Sequence, residues 1–114
     1  MLDWLRSLWS RDDISAKDLF TLPIDSYTLV DVREVEEYEE VRVAHAQLIP
    51  LGELLDRTDE IDASHDVYVI CRSGRRSAIA VQQLHEQGIA AVNVAGGTLA
   101  WEQAGLPVAH GAVG

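Results

Sequence analysis

The only cysteine of the chain, Cys71, stands where an apolar run, Val67-Tyr68-Val69-Ile70, gives way to the polar loop Arg72-Ser73-Gly74-Arg75-Arg76-Ser77. A lone cysteine at the end of a strand ordinarily serves as a small packed hydrophobe. A neighbourhood of arginines, serines and a glycine is a poor core environment, and it suits a reactive thiol. Small and apolar residues return at helical spacing after the loop, so the stretch reads as strand, tight loop, helix, with the thiol at the strand's carboxyl end. A loop wrapped ahead of a helix turns several backbone N–H groups toward one centre, and the helix dipole adds positive potential there. Arg72, Arg75 and Arg76 are three of nine basic side chains in a chain of formal charge -10. Their field favours thiolate over thiol and attracts a small anion. Gly74 supplies the backbone freedom that so tight a loop requires.

The elements that must hold this loop are legible around it. Ser15 caps a short helix within Ile14 to Phe20, which Pro23 ends. Tyr27 to Val32 is nearly continuously apolar and reads as a parallel strand buried on both faces. Asp31 and Arg33 leave that strand as charges that are expensive to bury unpaired, so they are expected to pair and to shape the neighbouring loops. Five glutamates fall within Glu34 to Glu40. Val35 and Tyr38 are expected to face the domain there, with the acidic side solvated or open to a basic partner.

Ala44 to Leu51 supplies a short strand ending at Pro50, and Leu51 to Thr58 a short helix with Leu51, Leu54 and Leu55 inward. Ser77 to Gln87 is the clearest helix. Ala78, Val81, Leu84 and His85 share a side, with Ile79 and Ala80 near it, and Gly88 sits at the C-cap. Ile89 to Val94 is a further strand. Thr98 is expected to cap a helix through Ala104, with Trp101 facing the core. Strands alternating with helices indicate parallel α/β architecture.

The bulk composition narrows the function. At 114 residues the chain suits one domain. We divide it into an amphipathic extension (1–13, with Leu2, Leu5 and Trp9 on one side), a domain (14–108) and a C-terminal tail (109–114). One cysteine excludes an internal disulfide framework. The four histidines are scattered, so no metal site and no cofactor is expected. Nineteen acidic against nine basic residues argue against nucleic acid as a partner. No run approaches the ~20 apolar residues of a membrane span, and the first residues lack the pattern of a secretory signal. A cytoplasmic location follows as the default, one compatible with a free thiol.

Four segments together carry a resemblance to a known family. Asp31-Val32-Arg33-Glu34, Ile49-Pro50-Leu51, the Cys71 to Ser77 loop, and Gly96-Gly97-Thr98 with Trp101, Gly105 and Pro107 closely resemble the rhodanese (sulfurtransferase) domain, from about Ile14 to Val108. The resemblance implies a central parallel sheet with helices on both faces. It also implies that Cys71 is catalytic and cycles through a persulfide, within a substrate cradle formed by Arg72, Ser73, Gly74, Arg75 and Arg76. Of these, Arg72 and Arg75 would meet a thiosulfate-like donor. Arg76 and Ser77 are the ones that would turn to the scaffold instead, and Asp31 and Arg33 would match the family's structural charged pair, with Ser77 as further support.

Two departures accompany the likeness. Val41-Arg42-Val43-Ala44-His45-Ala46 replaces the usual Gly-His-Ile/Val-Pro-Gly-Ala, so Arg42 takes the place of a histidine and His45 that of a glycine. Related phosphatase-like domains use Cys-x5-Arg. Here Ser77 stands six residues beyond Cys71, and the shorter loop favours sulfur over phosphoryl transfer. The expected activity is transfer of sulfane sulfur from a small anionic donor such as thiosulfate, or from a persulfide, to a thiol or cyanide. The alternative is a sulfur-carrier module that exchanges persulfide sulfur with relay proteins and turns over little free thiosulfate. A phosphatase or arsenate reductase is disfavoured by loop length and by the lack of a second cysteine.

Overall fold

A computed structural model describes residues 13–113. The expected amphipathic segment at the start of the chain lies outside them, apart from Asp13. Five strands form one sheet, all parallel: β1 (Asp13–Ile14), β2 (Tyr27–Asp31), β3 (Gln47–Leu48), β4 (Asp66–Ile70) and β5 (Ala91–Val94), in the spatial order β1-β5-β4-β2-β3. Four α-helices connect them: α1 (Ala16–Thr21), α2 (Val35–Glu40), α3 (Arg75–Glu86) and α4 (Gly97–Gln103).

The buried strands alternate their side chains between two cores. Tyr27, Leu29, Tyr68, Ile70, Val92 and Val94 pack against Leu19 of α1, Tyr38 of α2 and Trp101 of α4. Val30, Val67, Val69 and Ala91 pack on the other face against Leu54 and against Ala80 and Leu84 of α3. The helices therefore cover both faces of the sheet, as the uninterrupted apolar character of β2 and β4 requires. The direction in which successive strands are added reverses between the central strands β2 and β4. From β2 the chain crosses to β3 on one side, and from β4 it crosses to β5 on the other. In open α/β sheets the crevice at the carboxyl ends of two such strands is where ligands bind. Cys71 follows β4 there, and the Val32 amide, following β2, donates to Ile70 O at 3.0 Å.

Local signals explain the boundaries. The Ser15 hydroxyl accepts from the Asp18 amide at 3.0 Å and starts α1. Ile14, expected in that helix, lies instead in the edge strand β1, paired with Val94. Helix α3 ends in a Schellman motif, with the Gly88 amide on His85 O at 3.0 Å and the Ile89 amide on Leu84 O at 2.9 Å.

Several facings differ from expectation. The Leu51–Asp56 segment is a 3-10 helix that buries Leu54 and leaves Leu55 outside, because three residues per turn set neighbouring leucines far apart. Val35 is exposed while Tyr38 is buried. Helix α3 starts at Arg75, two residues before its expected start, and buries Ser77, Ala80 and Leu84. Ala78, Ile79 and His85 face outward.

The residues that depart from the family pattern are used structurally. The Arg42 guanidinium donates to Tyr38 O at 3.1 Å and Gly111 O at 2.8 Å, and it lies over the Tyr38 ring. Arg42 also forms an antiparallel bridge with Ala109. His45 is hydrogen-bonded to the Tyr27 hydroxyl at 2.7 Å. Burial lowers its pKa and so favours the neutral ring. Tyr27 begins β2, which puts His45 at the edge of the sheet opposite Cys71.

Candidate active site

Cys71 is 1% exposed as a residue, at the exit of β4. The chain turns sharply at Gly74, whose φ of 101° lies in the left-handed region that favours glycine. This turn aims the Gly74 amide back at Cys71 Sγ, 3.1 Å away. The first turn of α3 then carries the Ser77 Oγ to 3.3 Å from the same sulfur. Burial pushes the Cys71 thiol up, while a Ser77 hydroxyl turned toward the sulfur and the amides of Ser77, Gly74 and Ser73 pull it down. The downward effects prevail, and the thiol is held below its ordinary value.

The loop is held from behind by α4. The carbonyl of Cys71 accepts from the Thr98 amide at 2.8 Å, and that of Arg72 accepts from the Leu99 amide at 3.1 Å. With these carbonyls tied to the scaffold, the amides that follow them are fixed in orientation. Thr98 was expected to cap this helix. It lies inside α4 and is buried, and Gly96, with a φ of 73°, takes the capping position. The close approach depends on Gly97: a Cβ there would overlap both the Cys71 and Arg72 carbonyl oxygens.

The three arginines part company. Arg76 points both terminal nitrogens at Glu37, 2.7 and 2.8 Å from its carboxylate oxygens, and so braces α3 against α2. Within the acidic run, Glu37 is accordingly an ion-pair partner at the site rather than solvated surface. The Arg76 hydrogen bonds, with lesser help from the Glu34 amide and the charges of Arg76 and Arg33, outweigh burial and hold the Glu37 carboxyl at about 2. Arg72 and Arg75 are exposed and form no ion pair among the described residues.

The sign of this linkage yields a prediction. A carboxyl that titrates at 4.5 when unfolded and at about 2 when folded contributes stability in full above pH 4.5. That contribution is lost as the pH falls from there toward 2. Glu37→Gln is therefore expected to flatten the acid limb of stability in that window. Thermal melts of both proteins at about pH 5 and about pH 3 check it, and equal losses of Tm on acidification would refute the assignment.

Behind the loop, Asp31 and Arg33 form the expected pair. Both are buried, at 0% and 2% exposure, with Arg33 Nη2 2.8 Å from Asp31 Oδ2. Two further guanidinium protons go to Glu37 O at 3.2 Å and Val41 O at 2.7 Å. Arg33 thus fastens the middle of α2 and its C-cap, and α2 is the helix that presents Glu37 to Arg76.

One residue at the site escaped the sequence reading. Asn93 of β5 is buried. Its Oδ1 accepts from the Ser77 hydroxyl, and its Nδ2 donates to Gly74 O at 3.1 Å. The signal was present: Asn93 is the one polar side chain in the strand Ala91-Val92-Asn93-Val94, and a buried amide needs partners. Among the described residues, no cluster of three or more acidic, histidine or cysteine side chains is arranged to hold a metal. The same residues include no helix long and apolar enough to cross a membrane.

Comparison with known proteins identifies the family and the fold. A family model described as "Rhodanese-like domain" matches residues 15–104. YrkF of Bacillus subtilis, provisionally named a sulfur carrier protein, is 41% identical over 78 residues, which are 68% of this chain and 42% of that protein. The chain thus spans less than half of that relative. A protein of Allochromatium vinosum named "Sulfurtransferase" is 38% identical over 81 residues, 70% of this chain and 76% of the relative. The crystal structure of a rhodanese-related protein from Thermoplasma volcanium superimposes with a TM-score of 0.80 at 37% identity, covering 86% of this chain and 97% of that one.

Proposed function

The chain belongs to the rhodanese-like domain family, and on that premise we propose that it is a sulfurtransferase that carries sulfane sulfur as a persulfide on Cys71. The observation that carries the proposal is the convergence of loop amides on one buried sulfur, with the Gly74 amide 3.1 Å from Sγ, at the N-terminus of a twelve-residue helix. Such a site stabilises negative charge on sulfur.

In the first half-reaction the Cys71 thiolate attacks the outer sulfur of thiosulfate. An S–S bond forms to Sγ, the S–S bond of the donor breaks, and sulfite leaves with the electron pair. The persulfide anion extends from Sγ toward the mouth of the loop, where Arg72 and Arg75 offer positive charge first to the donor and then to the loaded sulfur. In the second half-reaction cyanide or a thiolate attacks the outer sulfur, thiocyanate or a new persulfide departs, and the Cys71 thiolate is regenerated. Both steps are nucleophilic displacements at sulfur. A low thiol pKa removes the need for a general base, and a reducing cytoplasm would keep the thiol free between cycles.

A second reading has its own support. The likeness to a protein named as a sulfur carrier favours a module that exchanges sulfur with protein partners in a relay. The exposed arginines would then meet a partner's anionic segment.

Intact-mass spectrometry separates the readings. Reduced protein mixed with thiosulfate is expected to gain one sulfur atom, and the Cys71→Ser variant none. Cyanide or small thiols should then discharge the adduct at rates that sustain turnover. Loading with negligible turnover supports the carrier module. Failure to load from either thiosulfate or a persulfide donor overturns sulfur transfer at Cys71.

A further inference from the structure

The Ser77 hydroxyl cannot donate to both of its neighbours at once. Its hydroxyl has one proton and two acceptors within reach, Asn93 Oδ1 and Cys71 Sγ. The orientation of the Asn93 amide is fixed independently, because Nδ2 must face the carbonyl of Gly74, which can only accept. Oδ1 is therefore the atom presented to Ser77, and it too can only accept. The Ser77–Asn93 contact is the shorter of the two, and Ser77 and Asn93 are both buried, so water is not at hand to replace either partner.

We infer that Asn93 is a positioning residue that holds the Ser77 hydroxyl proton away from the sulfur, so that Ser77 presents a lone pair to Cys71. In the protonated state the thiol then donates to Ser77 Oγ, and Ser77 donates to Asn93 in a single chain. On ionisation the sulfur keeps the loop amides but gains no proton from Ser77. The inference rests on the reading of Cys71 as the nucleophile, and it assigns that reading a limit. The backbone lowers the thiol pKa, and Asn93 restrains how far it falls. The restraint has chemical value. Thiolate nucleophilicity declines with pKa, and the most effective attacking thiol titrates near ambient pH.

The test is the pH dependence of alkylation of Cys71 by iodoacetamide, followed by intact mass, in the wild type, Ser77→Ala, Asn93→Ala and the double variant. If the Ser77 proton is committed to Asn93, Ser77→Ala raises the Cys71 pKa by less than about half a unit. Asn93→Ala frees the hydroxyl to donate to the thiolate and lowers the pKa by about half a unit or more. In the Ser77→Ala background the Asn93 substitution no longer lowers it. The charged groups on the elements around the sulfur are Arg72, Arg75 and Arg76 of the loop and α3, Asp31 at the end of β2 with Arg33 after it, and Glu37 of α2. All are retained in every variant, so a change between variants reports the proton.

Larger elevation in Ser77→Ala alone overturns the inference, as does an Asn93 effect that survives without Ser77. Circular dichroism monitors folding. Should Asn93→Ala fail to fold, Ser77→Ala decides by itself. Alkylation does not require sulfur transfer, so a chain that alkylates as expected but takes no sulfur overturns the proposed function and leaves this inference standing.

Discussion

Gly97→Ala is expected to abolish sulfur loading of Cys71 and to cost more stability than an ordinary surface substitution. Two independent penalties meet at this residue. Its φ of 60° is in the left-handed region, which costs a non-glycine residue about 1 kcal/mol or more. The added methyl would also occupy the space of the Cys71 and Arg72 carbonyl oxygens. Neither is a side-chain end that can swing aside, for both belong to the backbone of the loop itself. Relief requires α4 to withdraw, which breaks the Thr98 and Leu99 hydrogen bonds and frees the peptides that carry the Arg72 and Ser73 amides, the second of which faces the sulfur. Loading by thiosulfate, read by intact mass, and Tm should therefore fall together. A folded Gly97→Ala protein that loads sulfur at the wild-type rate would show that the loop does not depend on α4.

Arg33→Ala is expected to be the most destabilising change outside the loop. It leaves the Asp31 carboxylate buried without its partner and removes the donors to Glu37 O and Val41 O. Breaking a buried pair in this way costs about 3–5 kcal/mol, against the roughly 5–15 kcal/mol that holds a typical domain together. Arg33→Lys should rescue little, because an ammonium cannot reproduce the planar fork that grips both carboxylate oxygens. Urea denaturation checks both variants. A midpoint within experimental error of wild type for Arg33→Ala would mean that the pair contributes no net stability.

Much of the architecture was readable because local and tertiary demands coincide. Val67–Ile70 is apolar on both faces and lies at the centre of the sheet, Ser15 caps the helix that follows it, and Gly88 closes α3. Cys71, Arg72 and Arg75 are found together at the sheet edge where the strand-loop-helix pattern put them. Reading failed where two signals compete. Thr98 is a good capping residue, but the cap falls to Gly96 because only glycines permit the approach to the loop carbonyls. Leu55 and Ile79 looked inward by type, yet they stand at angles that the 3-10 and α-helical periods turn outward. Glu37 was lost among its four acidic neighbours, since sequence spacing does not say which one meets an arginine thirty-nine positions away. Asn93 was passed over because strand periodicity records apolar character and is silent about a single buried amide.

The dependence of the loop on distant partners also bears on when the cysteine becomes reactive. Every strand pair of this sheet is parallel and joins segments separated by a crossover, a topology of non-local contacts that assembles slowly. Asn93, Thr98 and Leu99 leave the ribosome well after Cys71. Until β5 and α4 have docked, the loop carbonyls are unheld, the amides do not converge, and the cysteine titrates as an ordinary thiol. On the proposed function, reactivity is thus a late product of folding, and a nascent or partly unfolded chain would expose a sulfur far less primed for transfer than that of the finished domain.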